Sequence, residues 1–161
     1  MKAVFSSACA IFLMVSLAGC STIRAVTGND APGIDVTRTH LGGAIARGPI
    51  AVEPFEGADA NRPEFGNYAV SVRRQLMRLG WTPVGTVGQS EQVALVDVRQ
   101  DAAGGLTLDT KIKRRSDGSM FWEGKAVSAA PAPDRAAAVE RLAEALFRDF
   151  PGESGRTITL R

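Results

Sequence analysis

The sequence predicts an α+β domain, an antiparallel or mixed sheet of about four to five strands with two helices packed on one face. Three observations carry this reading. Apolar runs of strand length recur from residue 34 onward, two longer stretches place apolar residues at helical spacing between clear start and stop signals, and an Asp-Gly turn joins two of the strand-like runs.

In chain order, Ile34–His40 alternates weakly and reads as an edge strand, followed by a turn at Gly42-Gly43. Residues 49–55 (PIAVEPF) form a short strand whose two prolines confine it to an edge or to its own ends, since proline cannot donate to a ladder. The first helix is the best-marked element. Asn61 is placed as N-cap, Glu64 in the capping-box position and Pro63 in the tolerant first turn. Phe65, Tyr68, Ala69, Val72, Leu76 and Leu79 make its packing face, opposite Arg73, Arg74 and Arg78. Gly80 suits the left-handed residue after the helix, which lays Trp81 against Leu76 as a structural lid.

Residues 92–99 (QVALVDVR) are apolar on both parities, as a central strand covered on both faces would be. Leu106, Leu108, Thr110 and Ile112 alternate with Thr107, Asp109, Lys111 and Lys113, giving a strand with one face in the core and one in water. Ser116-Asp117-Gly118-Ser119 turns the chain. Residues 120–127 return, with Trp122 on the face of Met120, Gly124 and Ala126, small neighbours that leave room for an indole. Asp134 caps a second helix presenting Val139, Leu142, Ala143, Leu146 and Phe150, with Glu144 and Arg148 as an outer i,i+4 pair. Pro151-Gly152 stops it, and residues 157–160 (TITL) add a last short strand.

The N-terminus carries a different signal. Lys2 precedes the apolar stretch 8–17 and the small residues Ala18 and Gly19, a secretion-signal layout. A membrane helix needs about 20 predominantly apolar residues, whereas this run is short and broken by Ser6, Ser7 and Ser16. Leu17-Ala18-Gly19-Cys20 resembles the lipobox of bacterial lipoproteins, in which the cysteine thiol carries a thioether-linked diacylglycerol. The plain alternative makes Cys20 a small residue beside an ordinary cleavage site. On the lipoprotein reading, residues 1–19 are removed, 20–33 form a flexible tether of small, polar, Gly and Pro residues, and 34–161 form one periplasmic domain. Ser21 stands where an Asp would, by resemblance to enterobacterial lipoproteins, favour the inner membrane, so the outer membrane is the expected location.

Removal of nineteen from 161 residues leaves 142, a usual single-domain length. Cys9 leaves with the signal and Cys20 is acylated, which excludes an intramolecular disulfide. Nineteen basic against seventeen acidic residues favour no polyanion in bulk, and nucleic acid is not an expected partner.

No motif for chemistry is complete. Residues 88–92 (GQSEQ) and 152–156 (GESGR) lack the closing glycine of a nucleophile elbow, and His40, the single histidine, lies in a weakly marked segment. Residues 118–125 have five residues between their glycines where a phosphate-binding loop has four, and Ala126 replaces its Ser or Thr. Asp97, Asp101, Asp109 and Glu123 lack calcium-loop spacing, so neither a metal nor any cofactor beyond the lipid on Cys20 is expected. One charge cluster stands out. Lys111, Lys113, Arg114 and Arg115 run along a strand into the hairpin, either as ordinary edge-protecting charges or as a contact for anionic head groups or wall polymer.

Several of these features together resemble a family. Ile50-Ala51-Val52-Glu53-Pro54, Arg78-Leu79-Gly80-Trp81, Ala94-Leu95-Val96-Asp97-Val98, Trp122-x-Gly124 and Phe150-Pro151 occur in the order found in bacterial lipoproteins that carry domain of unknown function 4136. The resemblance implies an envelope lipoprotein of α+β fold and no known activity. The expectation is therefore a non-enzymatic binding or scaffolding domain, held at the membrane by acyl chains, whose partner is an envelope protein, lipid or wall polymer. Its rivals are an auxiliary subunit of an envelope lipid-transport or assembly machine, marked by an apolar groove, and a small hydrolase, marked by His40 beside an activated hydroxyl.

Overall fold

Alternation and capping decide the elements along residues 32–55, 63–85 and 90–161, which the computed structural model describes. They are β1 (Ile34–His40), β2 (Pro49–Pro54), α1 (Pro63–Arg78), β3 (Thr82–Val84), β4 (Gln92–Gln100), β5 (Leu106–Arg114), β6 (Met120–Ser128), α2 (Arg135–Phe147) and β7 (Arg156–Leu160). The strands form one sheet in the order β3-β2-β4-β5-β6-β1-β7. β2 runs parallel to both β3 and β4, with α1 as the crossover from β2 to β3, and the remaining pairs are antiparallel.

The α+β class stands, but the expected four to five strands are corrected to seven. β3 is three residues long, too short to show a period, and it follows the cap of α1 directly. β1 is not an edge strand: it lies between β6 and β7. Its alternation looked weak because one inward position carries Arg38, which is 3% exposed, beside the fully buried Val36. β2 is likewise internal, and its prolines stand at its two ends.

Both helices lie on one face of the sheet, α1 over β2 and β3, α2 over β1, β5 and β6, and they touch each other. Val72 and Leu76 from α1, Leu142 and Leu146 from α2, and Leu108, Ile112 and Trp122 from the sheet are fully buried between the layers. Fully burying one such side chain contributes roughly 1.5–3 kcal/mol. Arg74 and Glu140 pair across the two helices, and Glu144 pairs with Arg78 of α1 at 3.7 Å. The intrahelical partner expected for Glu144 is displaced because α2 ends at Phe147, and Arg148 already has an extended backbone.

The helix ends follow their sequence signals. Trp81 N–H donates to the Leu76 carbonyl and Gly80 N–H to that of Met77, both at 3.0 Å, the double bond of a Schellman ending with Gly80 at φ 94°. Asp134 accepts from Ala137 N–H at 3.0 Å, as an N-cap does. The N-cap expected at Asn61 lies outside the described residues.

The second face of the sheet is mostly polar, and its buried apolar positions lie on β2 and β4. There Leu95 sits between Glu53 and Lys111, and Val93 between Ala51 and Lys113, in the strand register. The aliphatic stems of those long side chains help keep Val93 and Leu95 buried without a covering helix.

Candidate functional site

The register brings His40 of β1 beside Trp122 of β6, Trp122 beside Ile112 of β5, and Ile112 beside Ala94 of β4. One end of the sheet therefore gathers the end of β1 and the start of β2, and residues 41–48 must cross the ends of β6, β5 and β4 to join them. At this crossing lies a cleft of about 600 Å³, lined by Leu41, Ala44, Ile45 and Arg47 of the loop and by Glu91, Arg114 and Phe121.

The crossing loop is tied down at several points. The Gln92 side chain accepts from the Trp81 indole N–H at 2.8 Å and donates to the Ala46 carbonyl at 2.9 Å. Thr82 N–H donates to the Gly48 carbonyl at 3.0 Å. Arg47 stands over the Trp81 ring, 5.6 Å from its centroid, and Arg114 stands over Phe121 at 5.1 Å. Cation–π contacts of this kind hold a guanidinium without neutralising it. Arg114 is also paired with Asp117 at 2.9 Å, whereas Arg47 has no carboxylate partner among the described residues. Leu41 is 92% exposed at the mouth of the cleft.

Behind the cleft, the chain from the end of α2 to Gly152 is gripped by three side chains of the sheet. Trp122 donates its indole N–H to the Pro151 carbonyl at 3.0 Å, and His40 uses Nε2 on the Gly152 carbonyl at 3.0 Å. Arg38 donates Nε to the Leu146 carbonyl and Nη2 to those of Ala145 and Arg148, each at 2.9 Å. These are the orphan acceptors at the C-terminus of α2, where the helix dipole favours a cation. Burial lowers the Arg38 pKa, while neighbouring Asp149 opposes the shift. Phe150 leaves the helix and packs among Trp81, Trp122 and Phe147 with ring centroids 5.2–6.2 Å away.

The basic cluster singled out in the sequence is distributed over the structure. Lys111 pairs with Glu123 at 3.2 Å and lies over Phe55, Arg114 pairs with Asp117, and Arg115 pairs with Glu53 at 2.6 Å and donates to the Ser90 carbonyl. Lys113 is also engaged. On the same outer sheet face Arg99 pairs with Asp97 and Asp109, and burial, joined by the charges of Asp97 and Glu123, raises the Asp109 pKa against the lowering by Arg99 and Lys125.

The hydroxyls of the near-motifs have structural partners. Ser90 Oγ donates to the Gln92 carbonyl at 2.6 Å, and Ser154 Oγ bonds the backbone of His40, not its ring. The His40 imidazole accepts from Gly42 N–H through Nδ1 at 3.1 Å, so both ring nitrogens are committed to backbone groups, with Nε2 as the donor. Residues 118–125 form the hairpin and β6, not a strand-loop-helix. Among the described residues no group of three or more His, Cys, Asp or Glu side chains converges as a metal site, and no helix is long and apolar enough to cross a membrane. Cys20 and residues 21–31 of the tether lie outside the described residues.

Sequence reasoning did not find Arg38, Arg47 or the cleft. The available signal was the small apolar segment Ala44-Ile45-Ala46 between Gly42-Gly43 and Gly48-Pro49, which reads as a plain loop until its crossing path is known.

No protein-family model matches the chain, and neither does any curated protein. Among solved structures, the chain is similar to a PDZ domain protein from Parabacteroides distasonis, with a TM-score of 0.55 at 10% identity over 80% of this chain. The chain spans 39% of that protein's length, and the likeness is one of fold. PelC dodecamers from Paraburkholderia phytofirmans align with a TM-score of 0.46 at 12% identity, over 71% of this chain and 91% of theirs.

Proposed function

We propose that the protein is a cell-envelope lipoprotein, anchored through acyl chains on Cys20 in the outer membrane, whose α+β domain is a non-catalytic binding or scaffolding module facing the periplasm. The observation that carries the reading is the tetrad Leu17-Ala18-Gly19-Cys20 closing a short apolar segment. Each buried methylene contributes roughly 0.8 kcal/mol, so two or more chains hold a protein at a bilayer without any membrane-crossing helix. The resemblance to lipoproteins with domain of unknown function 4136 supports the same reading.

The geometry of the domain suits a tethered binding module. The chain enters β1 at Ile34, which pairs with Leu160, while the cleft lies beyond His40 at the other end of that strand. Seven residues of strand separate the two, about 20 Å. The exposed apolar wall at Leu41 favours the auxiliary lipid-transport subunit as the second reading. The committed His40 ring speaks against the hydrolase.

Detergent phase partitioning of the parent and of Cys20→Ser tests the anchor. The parent should enter the detergent phase, and the variant should remain soluble or accumulate with its signal uncleaved, because a hydroxyl cannot take the place of the thiol. Equal partitioning of mature, processed forms would overturn the proposal.

A further inference from the structure

We infer that His40 is a pH-sensitive latch on the loop 41–48: protonation of its ring releases the near end of the loop, Leu41 to Ala44, from the mouth of the cleft, while the far end stays tied. The inference does not depend on how the chain is anchored.

The hydrogen bonds of the ring admit one protonation state. Gly42 N–H is a donor, so Nδ1, 3.1 Å away, must offer its lone pair, and the single ring proton is then on Nε2, which donates to the Gly152 carbonyl at 3.0 Å. A second proton has one place to go, the Nδ1 lone pair. The imidazolium is a donor at both nitrogens, so Nδ1–H would point at Gly42 N–H and that bond is lost, whereas the bond to Gly152 keeps its direction and becomes charge-assisted. Protonation therefore acts on one side of the ring.

The two ends of the loop differ in what else holds them. At the far end Ile45 packs against the core, the Ala46 carbonyl accepts from Gln92, the Gly48 carbonyl accepts from Thr82 N–H, and Arg47 lies over Trp81. From Leu41 to Ala44 the Gly42 bond is the one hydrogen bond among the described residues, and Leu41 is 92% exposed. Gly42 and Gly43, at φ 78° and 83°, have no side chain to restrict their backbone once that bond is gone.

The charged groups around the ring do not change this outcome. Arg38, on the same face of β1, is bound to carbonyls at the end of α2, and the chain leaving α2 carries Arg148, Asp149 and Glu153, the last paired with Arg156. On β6 the neighbour is the uncharged Trp122, and Glu123 lies on the other sheet face, paired with Lys111. None of these forms a hydrogen bond or ion pair with the imidazole among the described residues. Their fields set the pH at which the ring charges, not the atom that takes the proton.

NMR of the full-length chain in zwitterionic detergent micelles, titrated from about pH 8 to about pH 5, the window in which histidine changes charge, tests the latch. The Nε2–H tautomer is expected at the upper end. As the His40 ring titrates, Gly42 N–H should lose roughly two- to tenfold in exchange protection, measured against the unfolded-chain rate at each pH, which is the scale of one modest hydrogen bond. Thr82 N–H, which holds Gly48, and the Trp122 indole N–H, which holds Pro151, should keep their protection. His40→Asn is the control, because its side-chain oxygen accepts from the amide two residues on, as in an Asx turn, and does not titrate. In that variant Gly42 protection should stay constant over the same range. An Nδ1–H tautomer at the upper end, Gly42 protection unchanged through the ring's titration, or an equal loss in acid in His40→Asn would each overturn the inference. Parallel loss at Thr82 and Trp122 would also overturn it, since the whole end of the sheet, and not the latch, would then be giving way.

Discussion

Arg38 and Trp122 both hold the chain that leaves α2, and their chemistry differs in how far sequence can show it. Trp122 was legible because Gly124 and Ala126, two and four positions on, leave space on the same strand face. The structure places the indole so close that a Cβ on Gly124 would meet Trp122 Cη2 at 2.3 Å and Leu146 Cδ1 at 2.8 Å. Trp122→Ala should cost about 3–5 kcal/mol, as large-to-small core changes do. Gly124→Ala should also destabilise, by roughly 1–3 kcal/mol through overpacking. Combining the two should cost less than their sum, because each relieves the other's fault, and urea unfolding of the three variants reads that coupling. Arg38 could not be found this way. An arginine at an alternating position reads as a solvated residue, and its partners are carbonyls more than a hundred residues away. Arg38→Met should lower stability by about 3 kcal/mol, since the loss of charge-assisted bonds leaves helix-end acceptors unmet in the interior. Arg38→Lys should recover little, because a single ammonium cannot reproduce the planar fork. Urea midpoints equal to the parent's for both variants would remove the capping role.

Elements with local punctuation could be read directly, and those defined by pairing could not. The Gly80 ending of α1 and the Asp134 cap of α2 depend on residues within one turn of the chain, so sequence specifies them. β3 exists only because Thr82, Pro83 and Val84 pair with β2, and three residues carry no period of their own. The β5–β6 hairpin belongs to the first kind, and its turn titrates. Asp117 accepts from Ser119 Oγ at 2.7 Å and Ser119 N–H at 2.9 Å, and with Arg114 these hold its pKa down to about 2. A depressed carboxylate contributes stability that is fully present above its ordinary value and lost as pH falls through the folded value. Amide protection across the turn should therefore exceed that of Asp117→Ala at pH above about 4, and the two should converge as pH approaches about 2. Asp109 on the outer face of β5 has the opposite sign. Burial raises its pKa, so ionisation works against the fold, and the stability present below the ordinary carboxylate value is lost as pH rises through the raised one. Asp109→Asn should raise the melting temperature at neutral pH and leave it unchanged in acid. A lower melting temperature at neutral pH would mean that the Arg99 pair outweighs desolvation.

At the scale of the whole molecule, the sheet order joins distant parts of the chain: β1 and β7 meet beside β6, and β2 stands between β3 and β4. Composition and period fix the α+β class but say nothing of which strands are neighbours, and the cleft is a product of that order. The same order determines what the basic hairpin can do. Four cations near an anionic surface contribute on the order of 1 kcal/mol each, and only within a Debye length of about 8 Å. Here Lys111, Arg114 and Arg115 already face Glu123, Asp117 and Glu53. Internal partners reduce the field these cations present outward, and on the proposed reading acyl chains on Cys20 are the stronger hold. Reversing Lys111, Lys113, Arg114 and Arg115 to Glu should therefore leave membrane fractionation of the lipoprotein intact. It should nevertheless lower the unfolding midpoint, because exposed pairs worth roughly 0–1 kcal/mol each become repulsions. Binding of the Cys20→Ser chain to anionic vesicles, measured across a salt titration, should be weak before reversal and absent after it. Release of the reversed lipoprotein from the membrane fraction would show that the hairpin, and not the lipid, provides the anchor.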